Sequence, residues 1–359
     1  MSESISPIPQ KQVAATLTYT NPVYSGYFAD PFVWKYGGEY YAIGTGAFEA
    51  RGQLDEAEAA ATGFSAEMRI FPLLRSDDFV TWRYAGHALL PPDPALGASF
   101  WAPEVAYHDG VFYLYYSVGH EDKNHQLRVA ASTHPLGPYT DLGEPLLAPR
   151  ACPFAIDPHP FQDDDGQWYL FYARDFLDTE GGARAGTALA VDRLIGMTRL
   201  AGEAQTVLRA HHDWQRFQAN RLMYGQVWDW HTLEGPCVRK HDGRYYCFYS
   251  GGRWETENYG VDYGVAENVM GPYSDAGNDE GPRVLRTVPG KVFGPGHNAI
   301  IVGPDDRTEY IVYHAWDTAM ASRRLCLDRL VWTPDGPRCA GPTWTPQTIP
   351  TVLEPQELL

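Results

Sequence analysis

Five stretches of this chain share one pattern of apolar and polar positions: a short alternating run, a tight polar break, then a run dominated by aromatics. They are PFVWKYGGEYYAIGT at 31–45, EVAYHDGVFYLYYSV at 104–118, HPFQDDDGQWYLFYA at 159–173, CVRKHDGRYYCFYSG at 237–251 and AIIVGPDDRTEYIVYHAW at 299–316. Alternation at period two puts every second side chain on one face, so each run reads as a strand. Asp-Gly or Gly-Gly between two such runs is a strong hairpin signal. Aligned on a tyrosine of the second run, the copies fall at Tyr41, Tyr113, Tyr169, Tyr246 and Tyr310, roughly one every 65 residues. Each hairpin is followed by room for one or two more strands, as in LLRSDDFVTW at 73–82 and LCLDRLVWTPDG at 325–336. No amphipathic helical pattern longer than the short stretch 54–61 competes.

About four strands per repeat, repeated five times, predicts an all-β fold: a five-bladed β-propeller with a catalytic pit at its central axis. It fills residues 1–359 as a single domain, with hairpins starting near 31, 104, 159, 237 and 299. A two-sheet sandwich also alternates and turns, but it does not require the same hairpin five times. Two insertions interrupt the repeat, at 46–70 and 205–233. The second carries Trp214, Phe217, Tyr224, Trp228 and Trp230 and runs up to Glu234, which makes it the expected substrate wall.

Composition narrows the function. Tyr, Phe and Trp make up 14% of the chain; most belong in sheet cores, and the excess also suits stacking on sugar rings. A net charge of −17 speaks against nucleic acid or an anionic membrane as partner. No run of about 18 apolar residues is present to span a bilayer. The N-terminal MSESISPIPQKQVAATL has neither a basic start nor an apolar run, so no secretory signal is read. The five cysteines (Cys152, Cys237, Cys247, Cys326, Cys339) are scattered without a CxxC pair and read as reduced thiols, so a cytoplasmic protein is expected.

An ionisable residue stands at the start of every hairpin: Asp30, Glu104, Asp157, Glu234 and His297, 9 to 13 residues before the aligned tyrosine. The first strand of a propeller blade is the innermost, so these groups should converge on the axis. Carboxyls crowded into a poorly solvated pit cannot all keep ordinary proton affinities. Glycoside hydrolysis uses such a split, with one acid protonated to donate to the leaving oxygen and another ionised to activate water or attack. Proline follows Asp30 and Asp157 directly and Glu234 after one glycine, and is expected to present each acid from a stiff, extended backbone. Around these three acids, Trp101 reads as a stacking platform or a core residue, and Phe154 and Trp230 as further substrate contacts. Glu104 reads chiefly as structural, with a sugar contact as the alternative. His297 reads as a donor to a sugar hydroxyl, a holder of a cation or water in the channel, or a satisfied buried histidine.

The motifs ADPF at 29–32, AIDPHPF at 155–161, TLEGP at 232–236 and GPGHNAI at 294–300, in this order, resemble glycoside hydrolase family 43. This family of five-bladed propellers includes arabinofuranosidases, arabinanases and xylosidases, and the likeness runs from NPVYSGYFADPF to RRLCLDRLVW. The resemblance implies that Asp30 is the general base, Glu234 the general acid, and Asp157 the residue that orients and tunes that acid. It implies an inverting single displacement, with base and acid about 6.5–9.5 Å apart. It implies no cofactor for the chemistry, and a structural Ca2+ or Na+ in the central channel near His297, held indirectly through water. An arginine of ASRRLCLD matches one that contacts the sugar; Arg324 is preferred and Arg323 stays open. The expected partner is an arabinose- or xylose-containing oligosaccharide. The expected enzyme is an exo-acting α-L-arabinofuranosidase, with a β-xylosidase or arabinanase as alternatives. A non-catalytic carbohydrate-binding propeller would lack at least one of the three acids, and a scaffold for protein partners would lack the ring. The sucrose-cleaving propellers carry Arg-Asp-Pro and Glu-Cys motifs where this chain has IDP and EGP.

Overall fold

The computed structural model describes residues 16–46 and 70–351. The helix expected at 54–61 and the body of the first insertion therefore lie outside the described residues. Among the described residues the regular structure is strand, with three short 3-10 turns.

The strands form a five-bladed β-propeller. Blade one is Ala29–Tyr36, Glu39–Thr45, Ile70–Ser76 and Arg83–Leu89, and blade two is Ser99–His108, Val111–His120, Lys123–Ser132 and Thr140–Asp141. Blade three is Ala155–Gln162, Trp168–Phe176 and Gly186–Ile195, edged by Arg199–Leu200 and Gln205–Leu208. Blade four is Gln226–His241, Arg244–Gly251 and Gly260–Ala266; blade five is Phe293–Val302, Glu309–Trp316, Arg323–Thr333 and Gly336–Cys339. A short parallel pairing of Gly186 and Thr187 with His231 and Thr232 joins blades three and four into one sheet.

The core is not one body but five. One apolar cluster lies at each seam: Ile43 and Leu73 against Leu114 and Tyr116 between blades one and two, Leu127 and Val129 against Leu170 and Tyr172 between two and three. Phe171 and Val191 meet Cys247 and Tyr249, and Phe248 and Val261 meet Ile311 and Tyr313. The last seam packs Ala42 and Leu74 of blade one on Val312, Leu325 and Leu327 of blade five. Each blade thus buries both faces, which explains the aromatic-rich middle strands. The ring closes where the chain's two described ends meet: Thr16–Tyr19 pairs with Gln347–Pro350. Asn21 clamps Leu327, donating to its carbonyl at 2.8 Å and accepting its amide at 2.9 Å.

The inner strands start earlier than the alternation suggested, because each carries a β-bulge. The register shifts between Ala29 and Phe32, Trp101 and Glu104, Ile156 and His159, Glu234 and Cys237, and Gly296 and Ala299. In every blade one bulge residue is left-handed: Asp30 at φ 49°, Ala102 at 45°, Asp157 at 56°, Gly235 at 56° and His297 at 50°. A bulge lets two residues count as one and turns a side chain toward the axis. The expectation of an extended backbone at Asp30 and Asp157 is corrected accordingly.

The second insertion is mostly regular structure. Gln205–Leu208 edges blade three, and Arg216–Met223 pairs with the start of Gln226–His241 as a two-stranded ribbon.

Candidate active site

The bulges direct Asp30, Asp157 and His297 to the axis from the left-handed position itself, while Glu234 and Trp101 arrive from the residue before it. Left-handed geometry suits Asp better than most residues, whereas Glu234 escapes it because Gly235 takes it instead. Space also favours Gly235, since a Cβ there would stand 3.1 Å from the His297 Nδ1 and press on the ring. All five side chains line one cavity of about 480 Å³, together with Tyr27, Trp254 and Arg323.

The three acids sit in contrasting surroundings. Asp30 pairs through Oδ1 with Arg323 at 3.1 Å, lies 3.5 Å from His297 and 3.3 Å from His314, and donates its backbone N–H to the His314 Nδ1 at 3.1 Å. Burial raises its proton affinity, but Arg323 first, then His297 and His314, outweigh this and hold the carboxyl well below the usual range. His314 is kept neutral by burial, with a pKa lowered to about 4, and accepting the Asp30 amide fixes its proton on Nε2. Glu234 behaves oppositely: burial and the Asp30 charge push it up to about 7, against a hydrogen bond from Tyr259 (2.7 Å) and the Arg323 charge. Asp157 is raised well above the usual range by burial, then by Glu234 and Asp30. Only the Gly235 N–H, donating to Oδ2 at 2.8 Å, favours its ionised form.

Arg323 is held from three sides. It donates to the Tyr27 hydroxyl at 2.7 Å and to Asp30, and its guanidinium lies 4.3 Å from the centroid of the Trp254 ring. Its neighbour Arg324 points the other way and pairs with Asp317. The preference for Arg324 is therefore corrected: successive strand residues face opposite sides, and it is Arg323 that faces the pit.

Other expected contacts fall elsewhere. Glu104 is two residues past the left-handed Ala102, so it sits below the pit and accepts from the His159 Nδ1 at 2.7 Å. The His159 Nε2 accepts the Val238 amide at 3.0 Å, so one buried pair ties blades two, three and four. Phe154 packs on His125 and the seam between blades three and four, outside the cavity lining. Trp230 is 1% exposed and packs with Tyr224 and Arg221 rather than facing the pit. The ribbon that carries it supplies no cavity residue; the wall comes instead from blades one and two, through Ile70, Phe71, Pro72, His87 and Phe100. Trp101 does line the cavity, stacked on His125 at 3.8 Å between centroids.

Tyr27, Trp254, Tyr259 and His314 were not singled out from the sequence. His314 had a signal: four residues after each aligned tyrosine stand Thr45, Ser117, Ala173, Ser250 and His314. Three of these take the left-handed residue's amide in the next blade, Thr45 from Ala102, Ser250 from His297 and His314 from Asp30. Blade three has alanine there, and the Gly235 amide goes to Asp157 instead.

The ion expected near His297 is one held through water rather than by a set of side chains. Among the described residues no group of three or more His, Cys, Asp or Glu side chains could hold a metal, and the His297 ring is close to Asp30. The set does not make a direct calcium site, and no chemical step is routed through one.

A family model described as glycosyl hydrolases family 43 matches residues 19–337. A β-D-galactofuranosidase of Aspergillus niger is 29% identical over 350 residues, covering 91% of this chain and 87% of that protein. An extracellular exo-α-(1→5)-L-arabinofuranosidase of Cellvibrio japonicus is 28% identical, covering 73% and 77%. Among solved structures, that of a thermostable family-43 glycoside hydrolase superposes with a TM-score of 0.75 at 29% identity, covering 93% of this chain and all of the other.

Proposed function

The chain belongs to glycosyl hydrolases family 43 and is a glycoside hydrolase, and from that premise we propose that it is an exo-acting α-L-arabinofuranosidase that inverts the anomeric centre. The observation that carries the reading is the contrasting surroundings of two acids in one pit. Asp30 pairs with the Arg323 guanidinium at 3.1 Å, while Glu234 is buried against the neutral Tyr259 hydroxyl, which favours an ionised Asp30 and a protonated Glu234. In this reading Asp30 takes a proton from a water as its oxygen bonds to the anomeric carbon. Glu234 gives its proton to the glycosidic oxygen as that bond breaks. Asp157, whose own proton affinity the acid raises, orients the acid by holding the loop that carries it, through the Gly235 amide. Arg323 contacts the sugar and keeps the base ionised. A cavity walled by Phe71, Pro72, His87 and Phe100 on one side suits a chain end rather than a chain lying across the face. The partner is then an arabinose-containing oligosaccharide.

A second reading is favoured by the Aspergillus relative's name. A β-D-galactofuranoside has the ring configuration of an α-L-arabinofuranoside with one further exocyclic carbon. A panel of p-nitrophenyl α-L-arabinofuranoside, β-D-galactofuranoside and β-D-xylopyranoside, with arabino- and xylo-oligosaccharides, separates the two. The expected outcome is fastest turnover of the arabinofuranoside and release of arabinose monomer, with the opposite anomer appearing first by NMR. Fastest turnover of either other glycoside replaces the sugar assignment, and a retained anomer rejects Asp30 as the water-activating base.

A further inference from the structure

The acid's immediate partner is Tyr259, a residue that none of the motifs contains. Its ring lies 5.8 Å from that of His314 and almost parallel to it, at 6°. On another side Gly296 leaves no room for a side chain, since a Cβ there would stand 2.2 Å from the tyrosine ring. The ring is thereby pinned, and its hydroxyl donates to the Glu234 Oε1 at 2.7 Å.

That bond commits Oε1 as an acceptor. A neutral Glu234 then carries its proton on Oε2.

We propose that Tyr259 is a positioning residue for the proton-donating step, and that its bond to Oε1 selects Oε2 as the oxygen that delivers the proton. The proposal rests on the hydrolase reading above, and its test is built to fail separately from it. A donated hydrogen bond stabilises the ionised carboxylate, so Tyr259 also restrains the rise in proton affinity that burial imposes. Asp30 and Arg323 act electrostatically on Glu234, and Glu234 acts on Asp157; none of these groups is altered by the substitution below.

Tyr259→Phe keeps the pinned ring and removes the hydroxyl. The alkaline limb of kcat/KM is expected to move upward by about one pH unit, the size of one lost bond to a charged group. The same shift is read without substrate by infrared titration of the carboxylic C=O band that disappears in Glu234→Gln. If wild type turns over no glycoside, the hydrolase reading falls while the infrared titration still decides the role of Tyr259. An unmoved Glu234 band in a Tyr259→Phe protein with wild-type unfolding midpoint overturns the proposal, as does an unmoved alkaline limb.

Discussion

Asp30 and Glu234 are the same chemical group in one cavity, and what separates them is which neighbour each meets. Asp30 meets a guanidinium that is itself fixed by Tyr27 and Trp254; Glu234 meets burial and the Asp30 charge, opposed by the Tyr259 phenol and a lesser pull from Arg323. With the base held well below the usual carboxylate range and the acid raised to about 7, kcat/KM should stay flat from mildly acidic pH and fall as pH climbs through about 7. Glu234→Ala removes the acid. It should cost roughly a hundredfold or more on an oligosaccharide, whose leaving alkoxide needs the proton, and much less on a p-nitrophenyl glycoside, whose leaving group is already stable. Equal losses on both, in rates measured side by side, remove Glu234 from the acid role. The two adjacent arginines show what the sequence left ambiguous at this scale. Both fit the motif, and only the strand's register, with Trp316 opposite Arg323 and Ala315 opposite Arg324, says which one faces the pit.

At the level of the strand, the repeated hairpin was legible because buried sheets impose period two, and the aligned tyrosines do fall in equivalent middle strands. The bulge was not legible, because it breaks the very alternation by which the strand is recognised. Glu104 was therefore aligned with Asp30 when the true counterpart is Ala102, and the acid of blade two drops below the pit. Proline after the left-handed residue in four blades, at Pro31, Pro103, Pro158 and Pro236, was visible, but its bearing on backbone shape was read as extended. The aromatic ribbon misled for a different reason: Trp230 packs inward on its own neighbours, and aromatic content alone does not say which way a ring faces. Two substitutions test the bulge. Gly235→Ala puts a Cβ at positive φ against the His297 ring, and should destabilise by about 1–2 kcal/mol while disturbing both the acid and its bond to Asp157. Ala102→Gly at the matching position of blade two should be neutral to stabilising by up to about 1 kcal/mol, since it relieves the same conformation where no acid sits. Denaturant midpoints and kcat for the pair check this; similar losses in both would mean the bulges serve the fold alone.

For the molecule as a whole, the seam between blades five and one is where ring closure and base chemistry coincide. Asp30 comes from blade one, and every group that sets its charge state, His297, His314 and Arg323, comes from blade five. Asp157 and Glu234 meet across the seam between blades three and four, far along the ring. The closing seam has no covalent connection of its own. It is held by the cluster around Leu325 and Leu327, by the pairing of Thr16–Tyr19 with Gln347–Pro350, and by Asn21 on Leu327. Loosening it should separate the base from its partners while the acid pair stays assembled. Asn21→Ala removes two bonds to the Leu327 backbone and is expected to cost about 2 kcal/mol. The informative readout is order rather than size. In wild type, loss of activity and loss of tryptophan fluorescence in urea should coincide, as for a cooperative unit. In Asn21→Ala activity should disappear at a lower urea concentration than the fluorescence transition, because a locally opened seam already lacks a tuned base. Coincident transitions in the variant would mean that the five seams yield together and that closure has no special hold on the chemistry.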